Sequence, residues 1–227
     1  LPNWNVKYSG FTKIKAIKKI FRRASIAHGY RASYTITNFQ SNLEYNPFNP
    51  LLRDRQGNFL TSKLFSNINL VEQFNPLVRL DLEFNNSLKI LGEIKRDRAL
   101  SLSLDNNLIT ESNGNEYILG LGYRIKDLRV RSNIGGRRFI LNGDLNLKGD
   151  FSLRENITVL RNLEYDSNQV TAGQTIMSIK ITADYALSKN LTSLFFYDHN
   201  FSKFAISTAF PQNSIRSGIT IRYNFGN

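Results

Sequence analysis

The chain has 227 residues, a formal net charge of +12 and no cysteine. Its mean hydropathy is −0.32. No apolar run approaches the ~18 residues that a membrane-spanning helix needs, which excludes a helical membrane protein. The absence of cysteine excludes disulfides and thiolate metal sites. The length allows one large domain or two small ones.

The positive charge is concentrated near the start of the chain. Six basic residues and no acidic one fall in residues 13–23. Elsewhere Lys and Arg alternate with Asp and Glu along strand-like segments. This distribution indicates a local basic feature on a body of mixed charge, and it argues against a nucleic-acid-binding surface.

Apolar and polar residues alternate with a period of two along most of the chain, which is typical of strands with one apolar and one polar face. Turn residues separate the segments. In chain order the segments are 4–8, 24–36, 78–84, 88–104, 117–125, 139–153, 177–187, 191–199 and 218–225.

Two architectures share this pattern, a soluble β-sandwich and the wall of a membrane β-barrel. Several segments reach about 15 residues, whereas strands of globular proteins have a mode of roughly 5–6. Asp144, Lys148, Lys180 and Asp184 lie in mid-segment on polar faces, as a water-filled lumen permits. The sequence therefore predicts an all-β fold, an antiparallel transmembrane barrel wall.

The connections give a strand count. Short turns are predicted at residues 85–86, 126–127, 154–156 and 188–190, and longer loops at 39–67, 105–115, 167–174 and 200–213. With a weak strand at 128–134 the count is about eleven. An odd count cannot close as an antiparallel barrel. Either the count is off by one near residues 128–136, or residues 1–227 form one arc of a larger barrel, which the absence of an initiator Met favours.

Residues 11–23 interrupt the alternation. Phe11, Ile14, Ile17 and Phe21 recur at helical spacing, and the remaining positions include Lys15, Lys18 and Lys19. This pattern predicts one short amphipathic helix, placed by strand parity on the periplasmic side. It could rest on anionic headgroups, dock a periplasmic partner, or serve as a solvated connector that caps the barrel rim.

Catalytic and cofactor signals are weak. The two histidines are His28, on an apolar face, and His199, beside Asp198. Adjacent strand residues point to opposite faces, so Asp198 and His199 are poorly arranged as a catalytic pair. No phosphate loop, dinucleotide fingerprint or metal-ligand cluster is present. We expect neither an enzyme nor a bound cofactor.

One segment conflicts with a uniform lipid-facing surface. Continuing the face of Leu88, Ile90 and Ile94 places Arg96 and Arg98 on the lipid side. An arginine costs about 2–4 kcal/mol at the bilayer midplane and little at the interface. Either a bulge near Asp97 changes the register, or the arginines stand at headgroup level, facing lipopolysaccharide phosphates.

The final segment resembles the terminal strand of an outer-membrane barrel. Polar Thr220 and Arg222 alternate with apolar residues up to an aromatic. The aromatics would lie in the interfacial girdle. The residues assigned to this lipid-facing terminal strand are Gly218, Ile219, Ile221, Tyr223 and Phe225.

Several short words occur in a characteristic order. They are HGYR at 28–31, EQFNPL at 72–77, RALSLSL at 98–104, GLGYRI at 120–125 and ADY at 183–185. In that order, with the Pro-Asn-Trp opening and the final strand, the whole chain resembles the C-terminal region of the SprA (Sov) family. These proteins are the outer-membrane translocons of type IX secretion in Bacteroidetes, and they are linked to gliding motility.

The resemblance implies a single-chain barrel of about 36 strands, the largest known size. It implies a pore for folded cargo with C-terminal secretion signals, a lateral opening occupied by a PorV-like barrel protein, and a periplasmic plug protein. This chain would supply part of the wall, in contact with the rest of the barrel and with outer-membrane lipid and lipopolysaccharide.

A hydrated lumen of mixed charge would limit adhesion of a passing protein. Reversal of one lumen charge should leave folding intact, and loss of assembly in Asp144→Lys would contradict the assignment. An ordinary closed barrel (a porin or transporter) and a soluble basic β-domain remain the alternatives. The pore-lining candidates are Lys89, Glu93, Lys95, Asn142, Asp144, Asn146, Lys148, Lys180, Asp184 and Arg222.

Overall fold

The computed structural model describes residues 2–134, 137–165, 167–188, 190–206 and 210–225, and only the backbone of 132–134 and 137–141. The described chain forms one antiparallel sheet of nine strands in sequential order. The strands are β1 Trp4–Tyr8, β2 Phe21–Ser41, β3 Lys63–Phe84, β4 Leu88–Ser103, β5 Leu108–Ile134, β6 Arg137–Asn162, β7 Ser167–Ala186, β8 Leu191–Phe204 and β9 Gln212–Tyr223.

The predicted all-β, antiparallel fold is confirmed, but the count of about eleven strands is wrong. Residues 126–127 and 154–156, predicted as turns, lie inside β5 and β6. The weak strand at 128–134 is the continuation of β5 beyond a bulge, where Lys126 and Asp127 face only Asp144. The hydrogen-bonded ladder continues through these polar stretches, although the alternation of apolar residues stops there.

The predicted difference between short and long connections holds only in part. Asn85 and Asn86 form the short turn between β3 and β4, and residues 42–62 form a long loop between β2 and β3. The predicted long loops at 105–115 and 167–174 are wrong, because β5 begins at Leu108 and β7 at Ser167. Within the predicted turn 188–190, Lys189 lies outside the described residues, as do residues 207–209 of the predicted loop 200–213.

The predicted amphipathic helix is also wrong in extent. Residues Gly10–Lys13 form a 3₁₀ turn and α1 covers only Lys15–Lys18. Strand β2 already begins at Phe21, whose ring lies 4.5 Å from that of Phe84 on β3. Pairing between β2 and β3 therefore overrides the helical spacing of the sequence. No helix in the described part of the chain is long and apolar enough to cross a membrane.

The sheet is a single layer without a packed core. Among the described residues, the buried hydrophobic side chains are Ala24 and Ala32 alone. The accessible surface is 16724 Å², against about 10,500 Å² for a compact protein of this mass. Soluble domains bury an apolar sheet face against a second layer, and the described chain supplies none.

Both edges of the sheet are open in the described part of the chain. Strand β1 pairs only with β2, and β9 pairs only with β8. In an antiparallel order the odd-numbered strands share one direction, so β1 and β9 run parallel to each other. The odd count that the sequence predicted therefore persists, although its value is nine.

Candidate membrane-facing band and charged faces

The strand register separates the alternating residues onto two faces, here called the apolar face and the polar face. One cross-strand row of the apolar face contains Leu82, Ile90, Leu121, Gly149 and Ile181. A neighbouring row of the polar face contains Glu83, Lys89, Gly122, Lys148 and Thr182.

The apolar face carries a continuous uncharged band. Residues 117–125 of β5 align with 145–153 of β6 and 177–185 of β7. Each range places five residues on this face, one of which is Gly149, and none of them is charged. A strand needs about 9–11 residues to cross a bilayer at a tilt near 45°, and each range has nine (117 to 125, inclusive). The band, hereafter the apolar band, is therefore close to the length of a transmembrane strand.

The apolar band is open to its surroundings. Leu119, Leu121 and Ile181 expose 47%, 49% and 44% of their surface. Contiguous apolar patches of this extent are rare on soluble monomers and mark contact with protein or membrane. Tyr117 and Tyr123 occupy the two sides of the band on β5, where an aromatic girdle would lie.

Beyond Tyr117 the same face becomes charged. Its residues, hereafter the charged belt, are Glu72, Arg96, Arg98, Glu111, Glu155 and Arg161. Arg98 Nε donates to Glu111 Oε1 at 2.9 Å, and Arg161 Nη2 donates to Glu111 Oε2 at 2.7 Å. Glu111 is only 7% exposed, so two arginines enclose one carboxylate.

The belt answers the question that Arg96 and Arg98 raised. Strand β4 pairs with β5 without a register shift from Leu88 to Ser103, so the bulge near Asp97, one of the two alternatives for this segment, is absent. The bulge lies on β3, between Phe74 and Val78. Both arginines consequently stay on the apolar face, beside the band. The sequence did not indicate the role of Glu111, because it predicts a loop at residues 105–115, where β5 in fact begins at Leu108.

All ten pore-lining candidates lie on the polar face, as the alternation predicted. Glu93 is 8% exposed and accepts charged contacts from Arg79 Nη1 at 3.4 Å and Lys95 Nζ at 3.9 Å. Lys95 also reaches Glu116 at 3.3 Å. These contacts join β3, β4 and β5, so the charges of this face hold neighbouring strands together.

Asp144 has a structural role that the sequence did not indicate. Its carboxylate forms a short ion pair with Arg124 and accepts a hydrogen bond from the backbone N of Asp127 at 3.1 Å. Asp127 sits in the β5 bulge with a φ of 52°. The carboxylate therefore supports the left-handed backbone of the bulge. Other polar-face ion pairs missed from sequence are Arg79 with Asp81, Arg154 with Asp97, and Arg216 with Asp198.

Strand β9 follows the predicted alternation with one correction. Ile219, Ile221 and Tyr223 lie on the apolar face, with Ile219 and Ile221 70% and 67% exposed. Gly218, which the prediction grouped with them, lies on the polar face opposite Phe196. A Cβ at Gly218 would come within 2.9 Å of the Phe196 ring. Phe225 follows the end of β9, with its ring 4.7 Å from Tyr223.

The predicted helical stripe does not form one surface. Phe11 packs edge-on against Tyr8 at 4.8 Å, while Ile14 is 53% exposed. Ile17 is half-buried, and Lys15, Lys18 and Lys19 are exposed. Asn85 Nδ2 donates to the carbonyl of Lys19 at 2.7 Å. This hydrogen bond ties residues 10–19 to the β3–β4 turn, so both lie at the same end of the strands.

The histidines have structural contacts. His28 Nδ1 donates to the Leu77 carbonyl at 2.6 Å, and its ring contacts Trp4 and Phe74. His199 Nε2 lies 2.7 Å from Asn213 Oδ1 on the apolar face, whereas the adjacent Asp198 contacts Arg216 on the polar face. The two members of the Asp198–His199 pair thus point away from each other.

No protein-family model matches the chain, and no curated protein matches it.

Proposed function

We propose that this chain is one arc of the wall of a large outer-membrane β-barrel that conducts folded proteins. The apolar band would face lipid, and the polar face would line a hydrated pore. The resemblance to the SprA (Sov) family supports the proposal that this pore serves type IX secretion.

The observation that carries the proposal is the uncharged apolar band on a sheet against which no second layer packs in the described part of the chain. Residues 117–125, 145–153 and 177–185 leave one face apolar, and lipid can cover such a face without a protein layer. The opposite face of the same strand segments carries charged residues, which include Lys148 and Lys180. Apolar-out and polar-in alternation is the pattern of outer-membrane strands.

The open edges support an arc in preference to a small closed barrel. Closing β1 onto β9 would pair two parallel strands, whereas bacterial outer-membrane barrels close through antiparallel ones. Further strands between these edges would complete the wall. The rest of the same barrel is therefore the first partner that we propose.

The conduction of protein is supported by the resemblance and by the character of the polar face. Both signs of charge occur there, with Glu93, Lys95 and Glu116 paired across strands. A hydrated surface of mixed sign offers little apolar adhesion to a passing protein. Cargo with C-terminal signals, a PorV-like barrel at a lateral opening and a periplasmic plug are the partners that the resemblance implies. We propose a passive conduit without catalytic activity.

The size of the polypeptide that contains these residues tests the proposal. Native outer membranes would be extracted with mild detergent, and the species carrying peptides of this chain would be identified by mass spectrometry. We expect a species several times the 26.0 kDa of this chain, or a fragment tightly held by a larger one. A free, folded 26.0 kDa protein whose gel mobility shifts on heating would indicate a small closed barrel instead.

Two further outcomes separate the remaining alternatives. A species that stays monodisperse without detergent would indicate a soluble β-domain. Lipase or protease activity that disappears in His28→Ala or His199→Ala would indicate an enzyme.

A further inference from the structure

A groove on the polar face has the shape and charge of a binding site. Part of its floor is the backbone of Gly122 on β5, which has no side chain to fill the space. Lys89 on β4 and Lys148 on β6 stand on either side of Gly122. The cavity has a volume of about 690 Å³.

The lining of the groove is strongly basic. Its charged side chains are six basic and one acidic: Arg22, Arg23, Lys89, Arg124, Lys126, Lys148 and Glu83. A cleft lined by one sign of charge raises the local concentration of ligands of the opposite sign. The groove therefore favours an anionic ligand.

The ion pairs within the groove indicate which anion fits. Arg22 and Arg23 contact Glu83 at 3.5 and 3.0 Å, and Arg124 contacts Asp144. The arginine guanidinium groups, which bind phosphate through paired hydrogen bonds, are thus already engaged. Among the contacts that the structure describes, Lys89 and Lys148 have no carboxylate partner. The available charges are flexible ammonium groups, suited to separate carboxylates.

The spacing suits an extended polypeptide. Lys89 and Lys148 are separated by one strand, which places their backbones about 10 Å apart. Alternate residues of an extended chain lie about 7 Å apart, within reach of two long lysine side chains. The groove also lies on the face opposite the apolar band, so headgroups of lipid bound to that band do not reach it.

We propose that this groove binds an acidic polypeptide segment, with Lys89 and Lys148 contacting its carboxylates over the floor at Gly122. The proposal rests on the proposed function in one respect, since the polar face must be open to water. It adds a partner class and a location to that function.

The test uses the full-length protein in detergent and a fluorescent peptide of alternating Glu and Gly, with binding followed by anisotropy at several salt concentrations. We expect saturable binding that weakens as salt rises. Lys148→Glu should weaken it roughly five- to tenfold, because it replaces attraction by repulsion. Lys7→Glu is the matched control, because Lys7 is exposed on the polar face of β1 and does not line the groove; it should leave affinity nearly unchanged.

A second variant tests shape without changing charge. Gly122→Leu fills the floor, and a Cβ at this position meets Lys89 Cβ at an ordinary 3.5 Å, so the strand should tolerate it. Binding should fall as in Lys148→Glu. Equal losses in Lys148→Glu and Lys7→Glu, or full affinity in Gly122→Leu, would overturn the proposal.

Two controls distinguish the remaining outcomes. Tripolyphosphate that binds while the acidic peptide does not would assign the groove to small phosphate anions and overturn the proposal. A separate measurement asks whether water reaches the polar face: the variant Lys180→Cys is treated with a water-soluble maleimide, and labelling shows that the face is accessible to water. Labelling without peptide binding would overturn the proposed binding site alone, whereas failure to label would contradict the proposed function.

Discussion

The two faces of β5, β6 and β7 are made by alternate residues of the same strands, yet they meet opposite physical demands. On the polar face, charges find partners within the sheet, as Lys95 does with Glu116 and Arg124 with Asp144. On the apolar face, Leu121 and Ile181 remain about half exposed. Part of the charge on the polar face is thus paired within the chain itself, whereas the apolar band depends on what surrounds the sheet.

The difference between the two faces is tested most strongly by placing one charge on each face at the same position along a strand. Ile181→Arg puts a guanidinium at the centre of the band, and we expect a cost of about 2–4 kcal/mol because lipid does not solvate it. Thr182→Arg, the adjacent residue on the polar face, should cost little. The amount of protease-resistant protein in the membrane measures both. Equal losses would contradict the assignment of the two faces.

A second test concerns the charged belt. Glu111→Gln removes the charge that Arg98 and Arg161 share, and we expect a loss of about 1–3 kcal/mol because a buried ionic contact is left incomplete. Glu155→Gln is the control on the same face, where the carboxylate is exposed. Denaturant midpoints of the two variants in detergent provide the measurement. A Glu111→Gln protein as stable as Glu155→Gln would show that the belt does not contribute.

A smaller effect is expected on the polar face. Asp144→Lys should still assemble, but it should be slightly less stable than the unaltered protein, because Asp144 contacts Arg124 and supports the bulge at Asp127. Asp184→Lys changes charge on the same face and should be nearly neutral. Heat-stability curves compare them. Failure of either variant to assemble would contradict a water-exposed polar face.

The smallest effect lies outside the sheet, in the loop of residues 42–62. The Asp54 carboxylate accepts hydrogen bonds from the backbone N of Asn58 at 2.8 Å and Gln56 at 2.9 Å. The Asn58 bond is the main cause that holds the pKa of Asp54 below its ordinary 3.8. The ordered loop therefore favours the ionised carboxylate. The stability that ionised Asp54 gives to the loop is complete above pH 3.8, and it is lost as pH falls through the lowered pKa of the folded loop.

Pepsin cleavage within the loop measures this loss. After correction for the pH dependence of pepsin itself, cleavage of the unaltered loop should accelerate as pH falls below 3.8. The loop of Asp54→Asn should be cleaved at the faster rate at every pH tested. Identical pH profiles for the two proteins would show that Asp54 does not order the loop.

The alternation of residues predicted the faces well because side-chain direction in a strand depends only on position. All ten polar candidates, from Lys89 to Arg222, therefore lie on one face. The turn at Asn85 and Asn86 was equally visible, because its residue types favour turns.

Strand length was not predictable in the same way. The alternation fails at Glu111 and Glu155, but the backbone ladder continues through both, since its hydrogen bonds do not depend on side-chain polarity. The ion pair of Arg98 with Glu111 stabilises such a stretch, and it joins residues whose pairing only the register reveals. The spacing of Phe21 likewise fits a helix, but its ring packs against Phe84 of β3, a contact between distant residues that the sequence does not show.

Side-chain environment along β7 tests the central claim most directly. The chain contains no cysteine, so single cysteines at positions 179 to 183 can each carry a spin label in the membrane-embedded protein. We predict that collisions with oxygen are highest at 179, 181 and 183, and that collisions with a water-soluble nickel complex are highest at 180 and 182. A uniform profile, or the opposite alternation, would contradict a sheet with lipid on its apolar face and water on its polar face.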